Sequence, residues 1–300
     1  MRGGERAGIM RSKLFVPACR PASFSKALAT DADAICFDLE DMVLPAQKAE
    51  ARNNLRKFFS SGFRTKQTIM VRVNSVRTAH FAEDLSAAVF PAVSVLTLPK
   101  VEDPEEIRET ATALLALEKE HKLERAITIL ATIESPRGLR LADAIAGADA
   151  RVAGLQLGLA DMFEHLGIQQ DNAPAAHQVR LRLRLAAGEA GVPCYDTAFP
   201  DFKDEEGFAR EAMTARSLGF AGKSCIHLGQ IAVANRIFSP DAGQIAASSR
   251  IVKAARVAAM AGAGSFALDG RMIDEPFVKR AEAILQLAKT LGLMSSEEQH

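Results

Sequence analysis

What the sequence lacks narrows its function before any motif is read. It has no net charge, because 37 lysines and arginines meet 37 aspartates and glutamates. No global field therefore draws it to nucleic acid or to an anionic membrane. Long hydrophobic runs are missing too. No segment approaches the roughly 20 apolar residues needed to span a bilayer, and the polar, glycine-rich start "MRGGERAGIM" lacks the apolar stretch of a secretory signal. Cysteine is scarce: Cys19, Cys36, Cys194 and Cys225 stand far apart with no CxxC pair. They read as buried free thiols in a reducing cytoplasm, a catalytic thiol being the lesser alternative. Neither a GxGxxG nor a Walker pattern occurs where a nucleotide loop would need one.

What remains is a chain of 300 residues, 48% hydrophobic, long enough for one large α/β domain. Eight short apolar, β-branched runs recur: 12–18, 34–40, 68–74, 93–100, 127–134, 152–161, 192–199 and 222–227. Near-continuous apolar runs suit strands buried on both faces. Helix signals fill the intervals. In "DPEEIRETATALLALEKE", Asp103 is placed to cap, Pro104 to start the helix and Glu106 to complete a capping box. "SPRGLRLADAIAG" places Ser135 before Pro136 in the same way. Only "HQVRLRLRLAAGEAG" disagrees locally, since Val179, Leu181, Leu183 and Leu185 alternate as in a strand. It is assigned to a helix because the βα rhythm requires one there.

Eightfold alternation predicts a (β/α)8 TIM barrel with a C-terminal helical extension. The expected organisation is a flexible leader at 1–10, a catalytic barrel at 11–240 and an extension at 241–300. Within the extension, "LGQIAVANRIF" (just before it), "AASSRIVKAARVAAMAGAG" and residues 276–291 read as helices, and "SFALDGRMIDEP" as an irregular loop. An appendage of this kind either caps its own barrel or reaches a neighbouring subunit.

Chemistry in this fold sits at the carboxyl ends of the strands. The side chains ending the runs are Arg20, Asp38, Glu40, Asp41, Arg72, Asn74, Lys100, Glu134, Asp161, Asp196 and His227, with Lys223 inside the eighth. Glu134 and Asp161 end consecutive strands. Two hard oxygen ligands suit Mg2+, which keeps part of its water shell; the other reading is that each carboxylate faces the next helix N-terminus. Arg72 is placed either to bind a carboxylate or developing oxyanion, or to pair with Glu40 or Asp41. Lys100 either binds an anion or lies beside Glu102 in solvent. His227 is a candidate substrate contact, its alternative being a hydrogen bond to backbone. Asp274 precedes Pro276 at the last helix and reads first as a capping acid.

The motifs "RSKLFVPACRP", "DLEDMVLPAQKAEAR", "VRVN", "LPKVED", "IESPRGL", "GLADM", "GFAGKSCIHLGQI" and "MIDEP" together resemble the citrate lyase beta subunit family. That family comprises citryl-CoA, malyl-CoA and citramalyl-CoA lyases within the HpcH/HpaI aldolase superfamily. The likeness runs from about residue 11 to about 291, in consistent order. It implies that Glu134 and Asp161 hold Mg2+ and that Arg72 contacts the substrate's carbonyl or carboxylate. It also implies that Arg20 and Lys26 help hold the acyl-CoA. It implies a homotrimer (or hexamer) whose C-terminal segment reaches the next subunit, with Asp274 as the acid or base; the reducing location read from the cysteines is cytoplasmic. Two positions depart from the family pattern: Ala18 replaces the usual glycine after "FVP", and Leu228 the usual proline of "IHPxQ".

The reaction this implies is Mg2+-dependent cleavage of a β-hydroxyacyl-CoA into acetyl-CoA (or propionyl-CoA) and a 2-oxo acid. Three alternatives are a malyl-CoA-type thioesterase, a pyruvate-type class II aldolase and a non-catalytic acyl-CoA-binding subunit of a lyase complex. The aldolase reading lacks the catalytic histidine such enzymes carry early in the barrel.

Overall fold

The computed structural model describes residues 9–294. The first eight residues of the expected leader lie outside them. Met10 is already buried in the barrel interior.

All eight expected strands form. They are β1 Ser12–Pro17, β2 Ala34–Asp38, β3 Thr68–Arg72, β4 Val95–Leu98, β5 Thr128–Ile133, β6 Val152–Leu157, β7 Cys194–Asp196 and β8 Gly222–Cys225. Each pairs in parallel with its sequence neighbour, and β8 closes on β1 through Ser12 opposite Lys223. The strands end two to four residues before most of the apolar runs do. The residues beyond them form the rim.

Alternation along the strands separates two packing layers. Ala34, Cys36, Met70, Val95, Leu130 and Tyr195 fill the barrel interior with Phe15 against them. Leu14, Val16, Ile35, Phe37, Ile69, Val71, Ile129, Ala131 and Leu155 face outward into the helices. Burial on both faces is why the runs read as continuous. Gly138 shows how close this packing is: a Cβ there would meet the Val101 carbonyl oxygen at 2.5 Å.

The stretch with strand-like alternation is the helix Ala173–Glu189. Its sense as a helix lies in burial: Ala176, Arg180, Leu183 and Ala187 face the core, whereas Leu181 and Leu185 are exposed. Asp103 caps the helix Pro104–Glu120 by accepting from the Glu105 N–H, but the capping box does not form. Glu106 instead accepts from the Glu102 N–H and pairs with Arg77.

The chain divides into two compact units, the second beginning at Ser239. Within that second unit, helix Ala242–Met260 packs with helix Glu275–Thr290 and with a hairpin. The segment expected to be irregular is this hairpin, β9 Phe266–Leu268 and β10 Arg271–Ile273, paired antiparallel. Its turn is Asp269-Gly270, both at positive φ (51° and 75°), the Asp-Gly pattern that favours a tight hairpin turn.

Candidate functional site

The strand ends bring Arg72, Glu40, Glu134 and Asp161 to one rim. Arg72, last residue of β3, is held by three bonds. Its Nε donates to Asp38 Oδ1 at 2.5 Å and its Nη2 to Asp38 Oδ2 at 2.8 Å, a bidentate fork. Its Nη1 pairs with Glu40 at 3.0 Å. Burial alone disfavours the charge, but Asp38 and Glu40 outweigh it and hold the guanidinium firmly protonated. The expected partners were Glu40 or Asp41. Asp38 is the principal one, because inward alternation on β2 places it opposite Arg72 in register.

Lys100 does not lie beside Glu102. Its Nζ reaches Glu40 at 2.7 Å and Asp41 at 3.1 Å, while Glu102 is taken by Arg77. Glu40 thus joins Arg72 to Lys100. The backbone N–H of Lys100 points the other way and donates to Glu134 Oε1 at 3.1 Å.

Glu134 is buried, and the Asp161 carboxyl lies within hydrogen-bonding reach of it. Burial first, then Asp161 and the charge of Glu40, push the Glu134 carboxyl well above the usual range; Arg72 opposes them. Two acids set together, one of them buried and the other half-buried, favour a proton or a cation between them. The protein leaves room for this arrangement at Gly158, where a Cβ would stand 2.5 Å from Glu134 Cγ and 3.0 Å from Oε2. The donor set is hard oxygen only, with no group of three or more His, Cys, Asp or Glu among the described residues. Two carboxylates with open positions fit a hexacoordinate Mg2+ that retains waters and takes substrate oxygens. Asp161 also occupies the first turn of the helix Leu159–Glu164, so proximity to a helix start and to Glu134 coexist.

Other candidates fall elsewhere. Asp196 and Lys223 point out of the barrel, not into its mouth. Lys223 Nζ contacts Asp196 at 2.7 Å and Glu211 at 3.0 Å, and Arg180 completes the cluster. Asn74 is buried and bonds to Asp84 and the Leu39 carbonyl. His227 is exposed; its Nδ1 accepts from the Gly229 N–H at 3.2 Å and its ring stacks on Phe202 at 5.1 Å. Arg20 and Lys26 are both exposed, just beyond β1 and in helix Phe24–Leu28. Ala18 is fully buried in the core between strands and helices, so its methyl takes no room from the mouth. Leu228 is exposed at the start of helix Gly229–Ile237.

Asp274 belongs to the second unit. It stands at the N-cap of helix Glu275–Thr290, yet its side chain makes no capping bond. Its Oδ1 is buried and has no hydrogen-bond partner among the described residues. The expected cap is therefore backbone only. All four cysteines are free, and burial pushes the thiols of Cys194 and Cys225 up to about 12. They are poor nucleophiles.

One functional candidate escaped the sequence reading. Lys13 lies inside the barrel on β1, fully buried. A lysine within "SKLFVP" was the available signal.

A profile of the HpcH/HpaI aldolase/citrate lyase family matches residues 11–228. Citrate lyase subunit beta from Haemophilus influenzae is 34% identical over 286 residues, covering 94% of this chain and 98% of that one. An L-malyl-CoA/beta-methylmalyl-CoA lyase from Cereibacter sphaeroides is 30% identical over 303 residues, covering 94% and 95%. Among solved structures, protein CitE from Mycobacterium tuberculosis, in complex with magnesium, acetoacetate and coenzyme A, superposes with a TM-score of 0.75. It is 33% identical, and the match covers 96% of this chain and 100% of that one. With the closed eight-stranded barrel and the acidic pair at its rim, these likenesses place the chain in the HpcH/HpaI aldolase/citrate lyase family, and it is a lyase.

Proposed function

We propose that this protein is a Mg2+-dependent lyase that cleaves a β-hydroxyacyl-CoA of the citryl-, malyl- or citramalyl-CoA type. The products are acetyl-CoA and a 2-oxo acid. The observation that supports this reading is the pairing of buried Glu134 with the half-buried Asp161, mutually adjacent, with Glu134 within the field of Arg72. CitE, whose structure holds magnesium, acetoacetate and coenzyme A, and the malyl-CoA lyase relative supply the substrate class.

Glu134 and Asp161 would hold the ion, with Lys100 fixing one Glu134 oxygen through its N–H. When bound, Mg2+ supplies Lewis-acid polarisation of the substrate's hydroxyl and carboxylate oxygens. Arg72, immobilised by Asp38 and Glu40, stabilises negative charge on the oxygen that becomes the 2-oxo acid carbonyl. As the hydroxyl passes its proton to solvent water at the mouth, its oxygen's electron pair forms the carbonyl, the carbon–carbon bond breaks and that bond's electron pair passes to the thioester's α-carbon. Asp274, carried by the C-terminal segment of a neighbouring copy, would deliver a proton there, its Oδ1 having no hydrogen-bond partner among the described residues. Arg20 and Lys26, exposed beyond β1, suit the phosphates of the acyl-CoA. His227 is read as a further substrate contact, fixed by Gly229 and Phe202.

A homotrimer or hexamer in the cytoplasm, in which the C-terminal segment reaches a neighbour, accompanies this reading. No helix among the described residues is long and apolar enough to cross a membrane. Incubation with Mg2+ and malyl-, citramalyl- and citryl-CoA tests the activity. Release of glyoxylate, pyruvate or oxaloacetate, abolished by EDTA, is the expected result and names the substrate. Free CoA alone would instead mean a thioesterase, and silence across the panel a non-catalytic acyl-CoA-binding subunit.

A further inference from the structure

Lys13 is an ammonium in the middle of a barrel core. It is 2% exposed. Its Nζ hydrogen-bonds to the amide oxygen of Gln156 on β6, and Gln156 Nε2 in turn donates to Ser224 Oγ on β8. Its other neighbour is the Phe15 ring, 4.8 Å from Nζ to the centroid. The same ring carries the Arg72 guanidinium, 4.9 Å from its centroid. Lys13 thus sits one step from Arg72 across a shared aromatic ring. Through Gln156 it is tied to the strand that leads to Gly158 and Asp161.

Among the described residues no carboxylate pairs with Lys13. This sets it apart from the other barrel cations, since Arg72 is matched by Asp38 and Glu40, and Lys223 by Asp196 and Glu211. Burying an ammonium against a neutral amide and a ring is unfavourable, because neither replaces the water it loses. An apolar residue such as methionine would fill the same space without that cost. Packing therefore gives no reason for a lysine.

The charges at the mouth supply one. Asp38, Glu40 and Asp41 share Arg72 and Lys100, so neither cation has charge to spare for a further anion. Glu134 and Asp161 match the two charges of a divalent ion. A bound 2-oxo acid then brings one carboxylate that nothing yet counted offsets, and Lys13 is the remaining buried cation whose field reaches Glu134.

We propose that Lys13 is a positioning residue whose buried positive charge, relayed through Gln156 and Phe15, favours the 2-oxo acid anion in the site while slightly disfavouring the metal ion. The proposal rests on the lyase reading above. It predicts opposite signs for the two ligands, which a packing role cannot produce.

The groups facing Lys13 are Cys36 on β2, Arg72 on β3, Glu134 beyond β5, Gln156 on β6 and Cys225 on β8. Burial lowers the lysine to about 8. The Cys36 and Cys225 thiols are pushed the other way by burial and stay protonated there. Lys13 is charged below that pH and neutral above it, so anion binding should weaken as pH rises through it.

The test is calorimetric titration of the full-length protein, wild type, Lys13→Met and Lys13→Gln, first with Mg2+ alone and then with pyruvate at saturating Mg2+. Circular dichroism and thermal melts verify folding, and the glutamine variant serves if the methionine one does not fold. Pyruvate affinity is expected to fall about tenfold in the variants, the order of one lost charge acting through a partly buried site. Mg2+ affinity should hold or tighten. The wild-type decline in pyruvate affinity above pH 8 should be absent from both variants. Folded variants that bind pyruvate as wild type does, or that lose Mg2+ and pyruvate in equal measure, overturn the role of Lys13 alone. A wild-type protein that binds neither ligand overturns the lyase reading with it.

Discussion

The N–H of Lys100 donates to Oε1 of Glu134 across 3.1 Å, and Lys100 reaches that position only by adopting a left-handed backbone, φ +54°. Non-glycine residues pay on the order of 1 kcal/mol for this region. The same residue sends its Nζ to Glu40 and Asp41. One strained residue therefore orients a candidate metal ligand with its backbone and the arginine's partner with its side chain.

Substitution separates the two duties. Lys100→Gly keeps the donor and relieves the strain, but leaves Glu40 with Arg72 alone. We expect its melting temperature to stay near wild type, its Mg2+ affinity to be kept and its turnover to fall severalfold. Lys100→Ala loses the Nζ while retaining the strain, so it should be less stable than the glycine variant by about 1 kcal/mol. Denaturant titration and steady-state kinetics measure both. Equal stability of the two variants would show that the left-handed turn stores no strain.

Gly158 is required by Glu134 rather than by the chain, since its own φ of −114° suits any residue. A methyl group there would overlap Glu134 Cγ. Gly158→Ala should fold with a loss of about 1–3 kcal/mol and displace the carboxylate. Glu134→Gln should fold normally. Both should lose the rise in melting temperature that Mg2+ gives the wild type. A full Mg2+ response in Gly158→Ala would mean that Glu134 is free to move and is not held for the ion.

The acidic pair also sets a pH dependence. In the folded protein Glu134 keeps its proton to higher pH than it does unfolded, owing to burial, to Asp161 and to the charge of Glu40. Between the unfolded and folded values the native state binds more protons, so its stability falls as pH rises through that window. A cation removes the repulsion, and it binds only the ionised pair. The gap between melting temperatures in Mg2+ and in EDTA should widen as pH rises above the ordinary carboxylate range. In Glu134→Gln the gap should be small and flat. A gap that narrows with pH would contradict a two-carboxylate site.

The barrel was legible in the sequence because doubly buried strands leave apolar runs that periodicity can count. The candidate pair was legible for a related reason: Glu134 and Asp161 follow two such runs directly. What position along a run does not reveal is which way a side chain points. Asp196 and Lys223 sit on strands, but on the outward phase, so both belong to the layer between sheet and helices. Asp38 sits on the inward phase and takes Arg72. Lys13 was hidden because a single charge in an apolar run is read as the run's edge, although the register with Ala34 puts it inside. The hairpin at Asp269-Gly270 was missed because strands of three residues are too short for alternation to register.

That outward cluster yields a prediction opposite in kind to those for the rim. Asp196 is fully buried and holds two cations, Arg180 through Nε at 2.8 Å and Lys223 at 2.7 Å. Burial alone would favour its neutral form, but Lys223 and Arg180 outweigh it and hold the carboxyl below the usual range. Asp196→Ala leaves both cations to the half-buried Glu211, a loss of roughly 3–5 kcal/mol. Lys223→Met is milder, because Asp196 keeps its fork with Arg180. In the double variant one buried cation fewer goes uncompensated, so its destabilisation should be less than the sum of the two single ones. Denaturant unfolding of the four proteins measures this coupling. Turnover per folded molecule should stay at the wild-type value throughout, since none of these groups faces the mouth. A specific loss of turnover at unchanged stability would return Asp196 to the reacting site.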